Sequence, residues 1–165
     1  NAKRFRDDYV LVKAVAIALA PNPQSDPGFD FLRWKPTVYA AQQAYKQAGI
    51  SNPFKEIDIA QVHDCFTLTE LLTYEDLGFC EKGAAKDHVA SGTFALDGEL
   101  PVNTDGGLKT FGHPTGATGV RMLYENYKQL QGKAGERQVK DASVALSHNI
   151  GGAPQACGMT IIALP

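Results

Sequence analysis

The chain has 165 residues, a formal net charge of −2, 44 % hydrophobic residues and 21 % charged residues. This is the length of one domain and the composition of an ordinary globular protein, which excludes a disordered chain. Sixteen basic residues are scattered among eighteen acidic ones, so we expect no nucleic-acid partner. No apolar run reaches the roughly 18 residues that a membrane span needs.

The first residue is Asn1 rather than methionine, and no secretory signal precedes the basic and aromatic run Lys3-Arg4-Phe5-Arg6. We expect residues 1–8 to be an added remnant or a lead-in, residues 9–165 to form the domain, and the chain to be a piece cut from a longer protein. The three cysteines are widely spaced and the four histidines lack ligand spacing. We therefore expect no disulfide framework, no metal, and a reducing, cytoplasmic compartment.

Residues 9–20 form a continuous apolar run rich in β-branched side chains, which predicts a strand buried on both faces. Residues 21–36 hold four prolines and the aromatic residues Phe29, Phe31 and Trp34, a pattern that indicates a long loop packed on the rest of the domain. From Pro36 an alanine stripe follows a helical period, and Gly49 marks its end.

A second strand is predicted over residues 57–62, followed directly by His63-Asp64-Cys65-Phe66. Residues 67–70, Thr-Leu-Thr-Glu, have the spacing of a capping box and predict a helix that runs to about Gly78. His63 and Cys65 are therefore expected on a turn between a strand and a helix.

Residues 87–119 are rich in glycine and contain only a short apolar piece, a weak strand near residues 100–102. The next helix is amphipathic, has Gly132 as its stop, and carries one apolar stripe of Val120, Leu123, Tyr124, Tyr127 and Leu130.

The last part of the chain contains a buried strand at residues 142–147, a turn at residues 148–152, and a final strand at residues 159–164. The predicted order of elements is β, α, β, α, weak β, α, β, β. This order predicts an α/β fold in which a mixed β-sheet of about five strands has helices packed on it.

Ligands collect at the carboxyl ends of strands in an open α/β sheet, and three predicted turns there carry polar residues. These three segments are residues 63–66, 112–116 and 148–152. Cys65 precedes a helix N-terminus, which favours a thiolate, although an isolated cysteine is slightly more often buried and inert. His113 lies between Gly112 and Pro114, which fix its backbone, although it could equally be a cap. The pair Gly151-Gly152 offers unobstructed N–H groups for an oxyanion, or simply a tight turn.

A phosphate-binding loop is the remaining interpretation of this glycine-rich region. The glycines at positions 112, 116 and 119 lack the Gly-x-Gly-x-x-Gly spacing, and no Gly-Lys-Ser/Thr follows them. We therefore expect no nucleotide of those two types.

Together and in this order, the three segments resemble the C-terminal half of a thiolase. The likeness covers about residues 9–164, and its most specific piece is residues 112–119, Gly-His-Pro-Thr-Gly-Ala-Thr-Gly. The sterol carrier protein X type of thiolase is the most similar branch, because His63-Asp64-Cys65-Phe66 stands where ordinary thiolases carry Asn-Glu-Ala-Phe. Residues 71–78 and 144–152 also look like that branch.

The resemblance implies a thiolase-fold half that acts in thiolytic cleavage of 3-oxoacyl-CoA by CoA, or in the reverse Claisen condensation. On matching positions, His113 would activate the nucleophilic cysteine and help to bind a thioester oxyanion, and His63 would bind an oxyanion. Cys65 would be the acid/base at the α-carbon, and the Gly151 N–H would serve a second oxyanion site. Asn149 departs from the family pattern, because ordinary thiolases carry their acid/base cysteine there.

The resemblance also implies what the chain needs from outside. The nucleophilic cysteine of the family belongs to the N-terminal half, and neither Cys80, near a helix end, nor Cys157, in a predicted turn, matches its motif. We expect this chain alone to be inactive, CoA to be a substrate rather than a cofactor, and the full-length protein to form a homo-oligomer. Two alternatives are a lipid-transfer-protein-like aldolase that cleaves steroid side-chain acyl-CoA, and a non-catalytic subunit.

Overall fold

A four-stranded mixed β-sheet organises the domain in the computed structural model, which describes residues 1–152 and 155–165. In spatial order the strands are β1 (Leu11–Leu19), β4 (Ala156–Ala163), β3 (Val144–Gly151) and β2 (Ile59–Gln61). Strand β4 is antiparallel to both of its neighbours, and β2 is parallel to β3. The carboxyl ends of β1, β2 and β3 therefore meet at one edge of the sheet. The expected fifth strand is reduced to a single bridge between Ala60 and Val102.

The described residues contain six α-helices: α1 (Lys35–Ala48), α2 (Pro53–Glu56), α3 (Thr67–Asp76), α4 (Ala85–Ala90), α5 (Gly107–Thr110) and α6 (Thr118–Leu130). Helices α1, α3 and α6 were expected from the sequence. The other three have six residues or fewer, too short for a helical period to show. Within residues 1–152 and 155–165, no helix has the length and hydrophobicity that crossing a membrane would require.

Helix α1 packs closely on the sheet because small residues face each other. The helix has Pro36 in its first turn and ends at Gly49, whose φ of 75° is left-handed, as predicted. Ala40 and Ala44 are fully buried on the side that faces β1 and β4. The β1 residues in the same core cluster are also alanines, at positions 14, 16 and 18.

Strand β1 is buried on one face only, so the prediction of burial on both faces is wrong. Its alanines face α1, whereas Val15 is 55 % exposed and Ile17 is 71 % exposed on the opposite face. Helix α6 packs against β2, β3 and β4 on that opposite side of the sheet, which leaves β1 uncovered. The exposed side chains are themselves apolar, so no change of polarity along the strand could reveal the alternation.

Helix α6 turns a partly polar face to the sheet, which corrects the predicted apolar stripe. Val120 and Tyr124 are 70 % and 62 % exposed, whereas Glu125 and Asn126 are buried. Glu125 accepts two hydrogen bonds of 2.9 Å from Arg137, and the Asn126 amide donates to the β3 backbone at 2.8 Å. The Glu125 carboxylate and the Asn126 NH₂ group thus have hydrogen-bond partners outside their own helix, which lets these polar side chains face inward.

The hairpin of β3 and β4 is longer than predicted. Strand β3 continues through Gly151, so His148 and Asn149 are strand residues paired with Met159 and Gly158 rather than turn residues. Strand β4 starts at Ala156, and Cys157 therefore lies in a strand, not in a turn. Pairing across the hairpin extends both strands beyond their apolar stretches.

The predicted capping box at the start of α3 is absent. The capping position is Phe66, and no side chain caps it. The Glu70 carboxylate instead accepts a hydrogen bond from the Tyr74 hydroxyl at 2.8 Å and from the Lys109 ammonium at 2.8 Å. These partners draw the carboxylate away from the helix terminus.

Candidate active site

The segment after β2 is held in place by Asp64. Its side chain is 2 % exposed, and Oδ1 accepts the Leu108 N–H at 2.7 Å. Gly107 has a φ of 61°, and a Cβ on it would overlap the Asp64 carboxylate. This close approach of α5 fixes the backbone between His63 and Cys65, which flank Asp64 in the chain.

The His63 imidazole is oriented by Asn149 of β3. His63 Nδ1 lies 2.9 Å from Asn149 Oδ1, and an amide oxygen only accepts, so Nδ1 carries the proton. Burial lowers the pKa of His63, an effect that the hydrogen bond donated to Asn149 partly offsets and that nearby His113 increases. The ring is therefore neutral at pH 7, with a lone pair on Nε2.

The His113 imidazole is oriented by the Thr118 hydroxyl, at the start of α6. Its Nδ1 lies 2.7 Å from Thr118 Oγ1, and the Thr118 hydroxyl donates to the Pro114 carbonyl at 3.1 Å. The hydroxyl therefore accepts from Nδ1–H, which leaves a lone pair on His113 Nε2. The rings of His113 and His63 stand at 89° with centroids 5.0 Å apart.

A cleft of about 950 Å³ opens where these side chains meet. The residues that the sequence analysis placed in the site all line it: His63, Cys65, His113, Asn149 and Gly151. Much of the remaining wall is apolar and comes from β1, α6 and the loop before α1, including Val15, Ile17, Trp34, Val120 and Leu123. The structure thus brings the five predicted residues to one cleft, and their catalytic roles stay predictions.

The three cysteines differ in environment. Cys65 is half-buried at the cleft, and its thiol lies 3.7 Å from Thr69 Oγ1, one turn into α3. Burial raises the pKa of Cys80 to about 11 and that of Cys157 to about 12. Burial therefore disfavours the thiolate form of these two cysteines, and neither is among the described residues that line the cleft. Of the three thiols, Cys65 is the one that the described part of the structure places at the cleft.

Two supporting residues were missed by the sequence analysis. Thr118 orients His113, and its position five residues after the histidine, at the start of a predicted helix, was the available signal. His148 is fully buried on the α1 side of the sheet, where Nε2 lies 3.0 Å from Thr37 Oγ1. No local pattern could reveal His148, because 111 residues separate it from that partner.

Comparisons with known proteins show the family of the chain. A model of the family described as thiolase C-terminal domain-like matches residues 28–163. The chain is 44 % identical over 151 residues to an acetyl-CoA acetyltransferase of Methanothermobacter thermautotrophicus. The aligned region covers 92 % of this chain and 39 % of that protein. It is 45 % identical over 112 residues to sterol carrier protein 2 of Homo sapiens, and that aligned region covers 68 % of this chain and 20 % of that protein.

Solved structures show the same fold. The Ltp2-ChsH2(DUF35) aldolase superposes with a TM-score of 0.80 at 28 % identity, covering 93 % of this chain and 39 % of that one. A monomeric SCP2-thiolase-like protein of Mycobacterium smegmatis superposes with a TM-score of 0.65 at 17 % identity, which shows the fold alone. This chain spans about two fifths of the archaeal relative and of the aldolase chain. Because the family model covers most of the sequence, the chain belongs to the thiolase C-terminal domain-like family.

Proposed function

We propose that the chain is the acid/base and oxyanion-binding half of a thiolase-type acyltransferase. The full enzyme would cleave 3-oxoacyl-CoA with CoA, or condense acyl-CoA by the reverse reaction. The observation that carries this proposal is the meeting of Cys65, His63 and His113 at one cleft, each in a defined environment. The acetyl-CoA acetyltransferase name of an archaeal relative supports it.

His113 is the base for the nucleophile. Because the Thr118 hydroxyl accepts Nδ1–H, Nε2 is the ring atom left to act as the base at the cleft. It takes the proton of a cysteine thiol as the sulfur attacks the thioester carbon, so that an S–H bond breaks while N–H and C–S bonds form. The resulting Nε2–H then donates to the thioester oxygen, where negative charge develops.

Cys65 moves the proton at the α-carbon. As a thiolate it takes that proton from the acetyl group, and the electron pair of the C–H bond becomes the enolate. In the tautomer that Asn149 fixes, His63 Nε2 accepts, so His63 holds the enolate oxygen through a water that donates one hydrogen to each. Gly151, an exposed residue at the end of β3 that lines the cleft, would supply its backbone N–H to the second oxyanion site. Losing one such donor typically lowers the rate by about 10²–10³.

The nucleophile comes from another part of the protein in this proposal. Burial raises the pKa of Cys80 and Cys157 and so disfavours their thiolates, and the archaeal relative is much longer than this chain. The exposed apolar face of β1 and the exposed Val120 of α6 border the cleft and suit a packed second half. The chain by itself is then expected to be inactive, with CoA as a substrate.

A second candidate is an aldolase of the same fold that cleaves an acyl-CoA without consuming CoA. It is favoured by the structural likeness to the Ltp2-ChsH2(DUF35) aldolase and by Asn149, which stands where ordinary thiolases have a cysteine. Retention of Cys65 beside His113 at the cleft favours the thiolase instead.

The deciding experiment uses the intact protein, including its N-terminal part. We expect the Cys65→Ala variant to lose condensation while the nucleophile is still acylated, and Cys80→Ala, away from the cleft, to be unchanged. An unaltered condensation rate in Cys65→Ala would remove Cys65 from the mechanism. Cleavage of a hydroxyacyl-CoA with no CoA consumed would assign the aldolase.

A further inference from the structure

The loop between β1 and α1 places an aromatic residue at the cleft. Trp34 immediately precedes α1, is half-buried, and lines the same cleft as Cys65 and His113. It is the sole tryptophan of the chain. The mechanism above gives this residue no role.

A buried carboxylate holds this loop. The side chain of Asp76, in the last turn of α3, is 0 % exposed. Its Oδ2 accepts a hydrogen bond from the backbone N–H of Trp34 at 2.7 Å, and its Oδ1 accepts one from the Lys82 ammonium at 2.8 Å. Lys82 also donates to the Leu32 carbonyl at 2.6 Å. One carboxylate oxygen thus holds the backbone of Trp34, and the other holds Lys82, which in turn contacts the loop at Leu32.

The burial of Asp76 is unfavourable for its charge. Desolvation raises the pKa of Asp76, while the hydrogen bonds from Lys82 and Trp34 oppose that rise. The proposed reaction does not use this carboxylate, and its partners lie at the loop rather than at the reacting groups. What it accomplishes is to keep the backbone of Trp34 at one position beside the cleft.

We propose that Trp34 is a specificity-determining residue that contacts the acyl chain of the substrate, and that Asp76 and Lys82 are the residues that position it. This proposal rests on the proposed function, since it takes an acyl thioester as the ligand. The cleft that Trp34 lines also includes the apolar residues Leu123 and Ile150, so the matching ligand part is an aliphatic or ring-bearing acyl chain rather than an acetyl group. Each methylene buried against such a wall changes affinity by roughly fourfold.

The first test uses the single tryptophan of the 165-residue chain as reporter. We expect octanoyl-CoA to protect Trp34 fluorescence from acrylamide, and acetyl-CoA to protect it much less. Equal protection by both, or by neither, would overturn the acyl-chain contact. Asp76→Asn and Lys82→Met are expected to shift the emission to the red and to increase quenching, whereas Lys86→Met, which removes an exposed lysine paired with Asp87, is the matched control. Unchanged quenching in Asp76→Asn and Lys82→Met would overturn the positioning role.

The second test uses the intact protein and substrates of graded length. We expect Trp34→Ala to lower kcat/KM for a 3-oxodecanoyl thioester by about tenfold or more while the value for acetoacetyl-CoA changes less than twofold. Phe31→Ala is the control, because Phe31 lies in the same loop, is 78 % exposed and is not among the described cleft residues. An equal loss for both substrates would make Trp34 merely structural. A wild-type protein that cleaves neither substrate would refute the proposed function, while the fluorescence result would still judge the contact.

Discussion

Lowering the pH should destabilise this domain through His148. The imidazole is fully buried between the sheet and α1, where it contacts the Thr37 hydroxyl at 3.0 Å. Its Nδ1 has no hydrogen-bond partner within residues 1–152 and 155–165. Burial lowers the pKa of His148 from 6.5 to about 3, and nearby His63 adds to this effect. A proton is therefore bound far more readily by the unfolded chain than by the folded one.

The sign and size of the effect follow from that difference. Below pH 6.5 the unfolded state gains a proton that the folded state refuses until about pH 3, so the free energy of unfolding falls as the pH falls through this window. At pH 4.5 the unfolded histidine is about 99 % protonated, which corresponds to a loss of about 3 kcal/mol relative to pH 7.5. This is a large share of the roughly 5–15 kcal/mol that stabilises a typical domain.

The assay is urea unfolding at pH 7.5 and pH 4.5 for the wild type and for His148→Gln. Glutamine can keep a hydrogen bond to Thr37 but does not titrate in this range. We expect the variant to lose about 3 kcal/mol less than the wild type between the two pH values, since the other titrating groups are common to both. Equal losses would show that burial of His148 does not set the acid sensitivity, and the reasoning would be refuted.

Two further predictions concern the supports of the site. In Asn149→Ala the pKa of His63 should fall further, because burial already lowers it and the hydrogen bond that opposes this is removed; an NMR titration that finds a higher pKa would contradict this. Gly107→Ala should reduce the free energy of unfolding by at least about 1 kcal/mol more than Gly83→Ala in urea unfolding. Both glycines have positive φ, but only the first would overlap Asp64, so equal effects would argue against the close approach.

Local signals explain the parts of the fold that the sequence predicts. Helix α1 could be bounded because Pro36 and Gly49 act on the backbone of their own turn, whatever the rest of the chain does. The end of α6 near Gly132 has the same origin, since this glycine also has a positive φ. The Gly112-His113-Pro114 segment likewise depends on neighbouring residues, so its location before a helix was predictable.

Contacts between distant residues explain what the sequence could not predict. His63 is separated by 86 residues from the Asn149 oxygen that selects its tautomer, and Trp34 is separated by 42 residues from the Asp76 carboxylate. The first contact needs β2 paired with β3, and the second needs α1 packed near α3. The sequence could place His63 and Asn149 at strand ends, but not the bond between them, which decides whether His63 Nε2 donates or accepts.

The two wrong burial predictions have one physical explanation. Val15 and Ile17 of β1 were expected inside the protein, as was Val120 of α6, yet all three are exposed and line the same cleft. An apolar pattern predicts burial in the intact protein, in which other segments can cover a surface. The archaeal relative extends far beyond the region matched by this chain. We therefore attribute these exposed side chains to the face on which we propose that the second half packs. If that half brings its cysteine to His113, the apolar face and the histidine must border one cleft, and in this structure they do.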